Sequence, residues 1–516
     1  MSVKHTHPEY DAMVDKWDRC IRVAKGQDAV HASNTVDLPQ LTDQDNNEYE
    51  SYKSRALFYN ATWRTIVGLQ GMLFRKPPKI QVPVTVEALL DDITMSGVSL
   101  HMFALELAEE CLKVGRAGIF VDYPTVDVST TTAADAIAAN LRPMFKMYTA
   151  KGITNWKTRT YKNSTVLSLI VLKELVAVPV DEYEDKEEER FRVLDLIDVN
   201  DLSMNSIKTI YRVREIRVEM QSGKEVDVVL KTSFPMINGE YLDYIPFQFV
   251  GVDDTSWCID EPPLIDLVDT NLSHYRVTAD YEHGCHFTGL PTPVISGYTP
   301  ERPGEKFYIG SMTAWVFPNA NAKATYLEFT GQGLGCLKEN LERKELMMAV
   351  LGARMLEAQP TGVESADTAA IHRGGEQSML ASVAQAISIG VTEALTTFSK
   401  FAGADTSEIK FELNRDFFPI PMDALTLTAI IAGWQNGAYS YDTMFENLRK
   451  GEIVTEDQDA KEEQASIKAN PPPVMDVPTT PGNRAGNGPN KGAAKGTNSK
   501  KGATSSNKTI TQLQNS

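Results

Sequence analysis

Three glycines, Gly331, Gly333 and Gly335, alternate ahead of a helical pattern and resemble the start of a phosphate-cradling loop. Such a loop needs a further glycine at the sixth position with a preceding parallel-sheet unit, or a Lys-Ser/Thr pair to reach the phosphates. None is present, so the run reads as a turn before a helix. His283, Cys285 and His286 are the metal-like cluster of the chain. Their spacing lets the two histidines share a helical face, but Cys285 points elsewhere and structural zinc needs about four fixed ligands. The plainer reading is a pair of partly exposed histidines near a helix end. No G-x-S-x-G elbow and no H-E-x-x-H pair occurs. With 69 acidic residues, carboxylate pairs are too common to single any out. The expectation is a chain without catalytic residues, metal or cofactor.

The elements around these residues are more informative. A polar-striped helix is predicted over 264–287. Leu264, Val268, Leu272, Tyr275 and Ala279 recur at spacings of three or four, and Asp266, Asp269, Ser273, Arg276 and Asp280 do so on another face. Asp260, Glu261, Pro262 and Pro263 suit its start, because acids favour the positive helix N-terminus and proline fits the first turn. A small strand-rich insert follows over 291–331, with strands expected at 293–296, 313–317 and 325–329. Its loops carry Arg302, Glu305, Lys306 and Lys323. A second long helix is predicted over 337–355, with Lys338/Glu342 and Glu339/Arg343 four apart. A third, over 367–401, is nearly uncharged from 378 to 397, where Glu393 is the single charge. Such a helix must be covered on most sides, by its own subunit or by a neighbour.

Upstream, 8–24 reads as a short helix and 30–48 as a loop. Residues 49–73 read as one helix, stopped by Arg75-Lys76-Pro77-Pro78. A helical face at Leu100, Phe103, Leu107 and Cys111 ends at Gly115. A buried strand is expected at 118–123, then a strand-rich region with strands at 143–148, 166–178, 191–197, 209–218 and 226–231. The charge run 181–190 reads as a solvated loop tip. Near the C-terminus a strand is expected at 409–413. Two short helices follow at 424–434 and 441–449, the second with Ser440 as its cap.

From about residue 455 the composition turns to Pro, Gly, Asn, Ser and Lys, and a disordered tail is expected. From Asn470 onward, six basic residues against one acid, Asp476, give the tail +5, so the body carries −23 of the total −18. An acidic body argues against tight DNA gripping, which needs clustered Lys/Arg. It leaves open a surface past which DNA slides. Five widely spaced cysteines point to a reducing compartment. The polar N-terminus is no signal peptide. No apolar run is expected to reach the roughly 18 residues a membrane helix needs, since the best, 166–180, is broken by Lys173 and Glu174. Synthesis in the cytosol is expected.

Residues 58–78, FYNATWRTIVGLQGMLFRKPP, resemble the N-terminal signature of the tailed-bacteriophage portal (head-to-tail connector) proteins. Three further pieces agree in order: IPFQFVG with PPLIDLVDTNLSHYRVTADYEHGCHFTGLP, then ESADTAAIHRGGEQSMLASVAQAIS, then the pair of short helices. The resemblance spans about 49–454. It implies an α+β portal-like subunit in a closed ring, usually of about twelve copies, at one capsid vertex. The implied organisation is an N-terminal arm (1–48), a β-rich wing (49–260 and 366–418), two stem helices (261–288 and 334–356), a clip (289–333), a tunnel loop (357–365), C-terminal helices in the crown position (419–454) and a disordered basic tail (455–516). It implies double-stranded DNA passing the tunnel loop, Gln359, Pro360, Thr361, Gly362 and Val363, and a stem wall of Asp266, Asp269, Ser273, Arg276 and Asp280. The clip residues Arg302, Glu305, Lys306 and Lys323 would dock the terminase large subunit and later head-tail adaptor or tail proteins. Major capsid and scaffolding proteins are further implied partners, the virion is the implied location, and no membrane is involved. The tunnel loop lacks a lysine, which puts charge-based gripping by it in doubt.

Two other classes stay open at this stage. One is a hydrolase or nucleotide-dependent enzyme hidden in the strand-rich region, against which its missing motifs count. The other is a different virion component, such as an adaptor or an ejected internal protein. The basic tail reads either as a solubilising end or as a contact with packaged DNA or scaffold.

Overall fold

The computed structural model describes residues 2–124, 140–201, 206–289, 292–297, 315–317, 321–327, 331–352, 366–415, 417, 422, 424–455 and 458–470. The chain mixes helix and strand, in line with the expected α+β class. It divides into two compact units, residues 1–419 and 420–516.

In the first unit the helices are α1 (Pro8–Lys25), α2 (Gln27–Ala32), α3 (Asn46–Arg55), α4 (Ala61–Leu73), α5 (Val84–Glu87), α6 (Leu100–Val114), α7 (Ile265–Gly289), α8 (Gln332–Leu351) and α9 (Ala366–Phe401). α6 ends where the sequence placed its stop, at Gly115 with φ 79°. The single helix expected over 49–73 is two helices. Asp45 starts α3 with a capping box to Glu48, and Asn60 restarts the chain as α4 by accepting from the Trp63 amide. Between them the apolar Ala56 and Phe58 are pulled into a core and the Phe58 amide bonds to Gln27 Oε1. Long-range burial thus overrides the local helical pattern. The loop expected over 30–48 likewise contains the end of α2, a short 3-10 turn at Asn34–Val36 and the start of α3.

Five antiparallel strands form the largest sheet, in sequence order: β4 (Ile153–Tyr161), β5 (Ser164–Pro179), β6 (Asp185–Asp201), β7 (Ser206–Gln221) and β8 (Lys224–Ser233). The 181–190 charge run is only in part a loop tip. Residues 185–190 pair in register with β5, Glu189 bridging Lys173 at 2.9 Å, and Glu188 reaches Arg217 on β7 at 3.0 Å. Opposite charges facing each other across strands stabilise pairing that a residue-by-residue reading sees as polar loop. β4 has no counterpart among the sequence expectations. A three-stranded sheet joins β11 (Phe247–Gly251), β2 (Arg116–Asp122) and β3 (Met144–Thr149), with β2 central and buried. β1 (Lys79–Gln81) pairs with β14 (Lys410–Glu412), and β9 (Met236–Ile237) with β10 (Glu240–Tyr241). In the insert β12 (Thr292–Ser296) pairs with β13 (Lys323–Leu327). Of the strand expected at 313–317, residues 315–317 are described and are not strand.

The main core lies between α4, α6, α9 and the three-stranded sheet. Leu69, Phe103, Leu107, Cys111, Ile119, Phe145, Val383, Ile387, Val391, Leu395 and Phe398 are all buried there. One face of the nearly uncharged stretch of α9 is thus covered by its own chain, while Ile389 on another stays 40% exposed. The segment Met379–Phe401 is long and apolar enough to cross a membrane, contrary to the expectation that no such run exists. Its buried face explains that composition as core packing. α9 approaches β11 so closely that a Cβ on Gly390 would stand 2.6 Å from Val250 Cγ2.

The second unit holds α10 (Ala424–Gln435), α11 (Tyr441–Lys450) and α12 (Ala460–Ala469). Ser440 caps α11 as expected, accepting from the Thr443 amide. α12 falls inside the expected disordered tail. Asp459 caps it through the Lys461 and Glu462 amides, and its AKEEQASIKA composition is locally helix-forming without any buried residue.

Candidate functional site

The two helices around the insert are α7 and α8. One hydrogen bond ties them, with a histidine and a glutamate close by at the same level. Lys344 Nζ donates to Ser273 Oγ at 2.7 Å, and His274 Nε2 lies 3.5 Å from Glu345 Oε1. The His274 side chain is only 6% exposed while Glu345 is 58% exposed. Burial pushes the imidazole pKa below its ordinary value, Glu345 works the other way, and Lys344 adds to the lowering.

α7 also meets the N-terminal segment along most of its length. Arg19 bridges Asp269 at 2.5 Å, and Arg276 Nε donates to the Asp37 carbonyl at 2.8 Å. Tyr52 Oη donates to Asp280 Oδ1 at 2.6 Å. Asp37 itself is buried and receives both Arg22 Nε and Nη2 at 3.0 Å, with Ser33 Oγ at 2.7 Å. Burial works to raise the Asp37 pKa, but these donors outweigh it and hold the carboxyl below its usual value. An open cleft of about 660 Å³ remains between α1 and α7, lined by Asp15, Asp18, Arg19, Arg22, Asp269 and Arg276 among others.

The same segment is anchored on the large sheet at its other end. Ser2 Oγ and the Val3 amide both donate to Asp227 on β8, and the His7 amide donates to the Thr154 carbonyl on β4. The His7 ring stacks on Trp156 with centroids 4.0 Å apart. Residues 2–55 therefore strap the sheet to α7. The arm expected at 1–48 is an integral part of this unit.

The five residues expected as one stem wall do not form one open face. Ser273 turns to α8. Asp269, Arg276 and Asp280 turn to the N-terminal strap, and exposed Asp266 has no ion pair among the described residues. The periodicity placed them correctly on the polar side of α7, but a helical wheel cannot show what another segment lays over it. Lys323 is exposed on β13, opposite Ser296. Arg302, Glu305, Lys306 and the tunnel-loop residues Gln359, Pro360, Thr361, Gly362 and Val363 lie outside the described residues. His283 takes its place beside Tyr52 and Arg55 rather than with a third ligand. Among the described residues no three His, Cys, Asp or Glu side chains converge as a metal site.

Sequence reasoning missed His274, Glu345, Asn271 and the whole strap. One signal was available: Asn271 and His274 sit on the otherwise apolar side of the α7 wheel. Another helix face is left open. Leu346, Met347 and Val350 on α8 are 59%, 45% and 42% exposed, and no residue of the apolar α10 is buried.

A family model described as a domain of unknown function (DUF4055) matches residues 263–402, which run from α7 through the insert and α8 to the end of α9. No curated protein matches. Among the solved structures that match, two show weak likeness. A chain of the virion of a native gene transfer agent (GTA) particle is 10% identical, with 81% of this chain and 97% of that one covered at a TM-score of 0.37. A chain of the neck of an empty GTA particle is 11% identical, with coverages of 80% and 94% and the same TM-score of 0.37.

Proposed function

We propose that this chain is a structural component of a tailed-phage-like particle, and specifically a portal subunit. Copies would close into a ring at one capsid vertex, and double-stranded DNA would pass through the hole during packaging and ejection. The observation that carries the reading is the order of elements from α7 to α9: a long helix, a strand hairpin, a second long helix and a third. The sequence resemblance over 49–454 supports it independently. So do the apolar faces of α8 and α10, which in a lone chain would stay in water. A ring gives each copy a neighbour to cover such faces.

In this reading the role is mechanical, and no residue is assigned to catalysis. The net negative body keeps DNA phosphate from sticking, and the uncharged 359–363 loop touches the duplex without holding it. In this reading the polar side of α7 belongs to that wall, with Asp269 paired to Arg19 and Asp280 bonded to Tyr52. The clip residues Arg302, Glu305, Lys306 and Lys323 are proposed for terminase and adaptor docking. A second reading, an adaptor or ejected internal protein, predicts no closed ring. The native mass of the purified chain separates the two: a discrete multiple of the 57.1 kDa subunit supports the portal reading, and a monomer at micromolar concentration counts against it.

A further inference from the structure

We propose that one face of the five-stranded sheet is a docking site for a partner protein that presents an apolar side chain beside a lysine or arginine, and that the chain's own Val3 and Lys4 occupy part of that site. The inference concerns this sheet alone and stands whether or not the chain forms a ring.

Side chains alternate across a strand. Ile170, Leu172, Leu194 and Val213 point to one face, where they join a large core cluster. Val171, Phe191, Val193 and Ile216 point to the other and form a small cluster of their own. Val171 stands opposite Val193, and Phe191 opposite Ile216, so the four make one floor across β5, β6 and β7. The N-terminal segment lies on it. Ser2 to His5 closes a turn, in which the His5 amide donates to the Ser2 carbonyl at 3.1 Å. Val3 packs on the floor. Its amide donates to Asp227 Oδ2 at 2.8 Å, and Lys4 Nζ donates to Glu225 Oε1 at 2.6 Å. Asp227 and Glu225 stand opposite Val218 and Met220 and so share their face. Glu189 and Asp227 add to the negative field at the Lys4 ammonium.

The turn covers only part of the face. Leu175, four residues on from Val171, is 65% exposed, and Met220, four on from Ile216, is 69% exposed. Acids are interleaved with them: Leu175 stands opposite Glu189, and Met220 opposite Glu225. Glu187, on the same side of β6, is exposed and has no ion pair among the described residues.

An apolar floor rimmed by carboxylates selects its occupant. Nucleic acid is excluded, because the rim repels phosphate. A wholly apolar partner would leave the carboxylates without a counter-charge. An apolar side chain beside a basic one satisfies both, and the Val3–Lys4 turn already shows the mode: burial supplies attraction, and charge fixes orientation. The turn is also easy to displace. Its one ion pair, Lys4 with Glu225, is exposed on both sides, and such pairs add little. A partner that brings more apolar surface, enough to reach Leu175 and Met220, therefore takes its place.

A synthetic peptide of residues 2–7, with a photoreactive group at the Val3 position, tests this. Its targets are the full chain, a Val3→Asp/Lys4→Glu variant whose turn the acidic face repels, and a chain lacking residues 2–5 as a second displaced form. In the wild type the tethered turn competes at an effective concentration of roughly millimolar. At about 0.1 mM peptide, both altered chains should therefore be labelled about tenfold more than wild type. The label should fall within 191–193 and 216–220, and a peptide carrying Lys4→Glu should lose it. Equal label in all three chains, label elsewhere, or no label overturns the proposal. Dimers that form when the turn is displaced, without peptide label, would assign the face to a second copy and overturn it as well.

Discussion

Asn271 on α7, fully buried, holds the first turn of α4 through Thr62. Its Oδ1 accepts from the Thr62 amide at 3.2 Å and from Thr62 Oγ1 at 3.0 Å, while its Nδ2 donates to the Tyr59 carbonyl at 2.7 Å. A side chain more than 200 positions away in sequence thus satisfies donors that a helix start leaves open. The contact fixes α4, and with it the main core, to the helix that leads into the insert.

Replacing Asn271 with leucine should be among the most damaging single changes in this region. It leaves the Thr62 amide without its acceptor in a buried site, at about 1–3 kcal/mol for such a group, and takes from the Tyr59 carbonyl one of its two donors, the Ala61 amide remaining. Urea unfolding should show a midpoint well below wild type. A change within experimental error would mean that the contact is dispensable.

The strap makes a graded prediction. Arg22→Ala strands the buried Asp37 carboxylate and should cost about 3–5 kcal/mol. Arg19→Ala breaks a half-exposed pair with Asp269 and should cost no more than about 1 kcal/mol. The Asp37 pair also sets a pH dependence. Because the folded carboxyl is held below the ordinary aspartate value of 3.8, its stabilisation is present above that value and is lost as pH falls through the lower folded one. The stability gap between wild type and Arg22→Ala should therefore close in strong acid, which denaturant titrations at stepped pH would check.

Gly390→Ala should also destabilise, although alanine is the better helix former. The added Cβ would stand 2.6 Å from Val250 Cγ2, so β11 or α9 has to shift. Overpacking of this kind costs about 1–3 kcal/mol, more than the roughly 1 kcal/mol gained in helix propensity. Gly71, whose Cβ would meet nothing within 4 Å, is the control, and Gly71→Ala should be neutral or stabilising in the same thermal melts.

These contacts mark what the sequence reveals and what it withholds. α6 was legible because Leu100, Phe103, Leu107 and Cys111 repeat at helical spacing and Gly115 closes the last turn. α11 was legible because Ser440 caps it. Both signals are local. The break between α3 and α4 was not legible, since it depends on Phe58 reaching a core and on Asn271 receiving Thr62. The extension of β6 into the acidic run depends on Lys173 and Arg217 across the sheet. The polar stripe of α7 is legible from its spacing, but its partners Arg19, Asp37 and Tyr52 lie more than 200 residues upstream.

The most direct test of the portal reading is cryo-EM of assembled particles that contain this chain. The account predicts density for a closed ring of this polypeptide at a single fivefold vertex, with α7 and α8 side by side around a bore wide enough for duplex DNA. The same chain found at many capsid sites, within the tail, or free inside the head would contradict it.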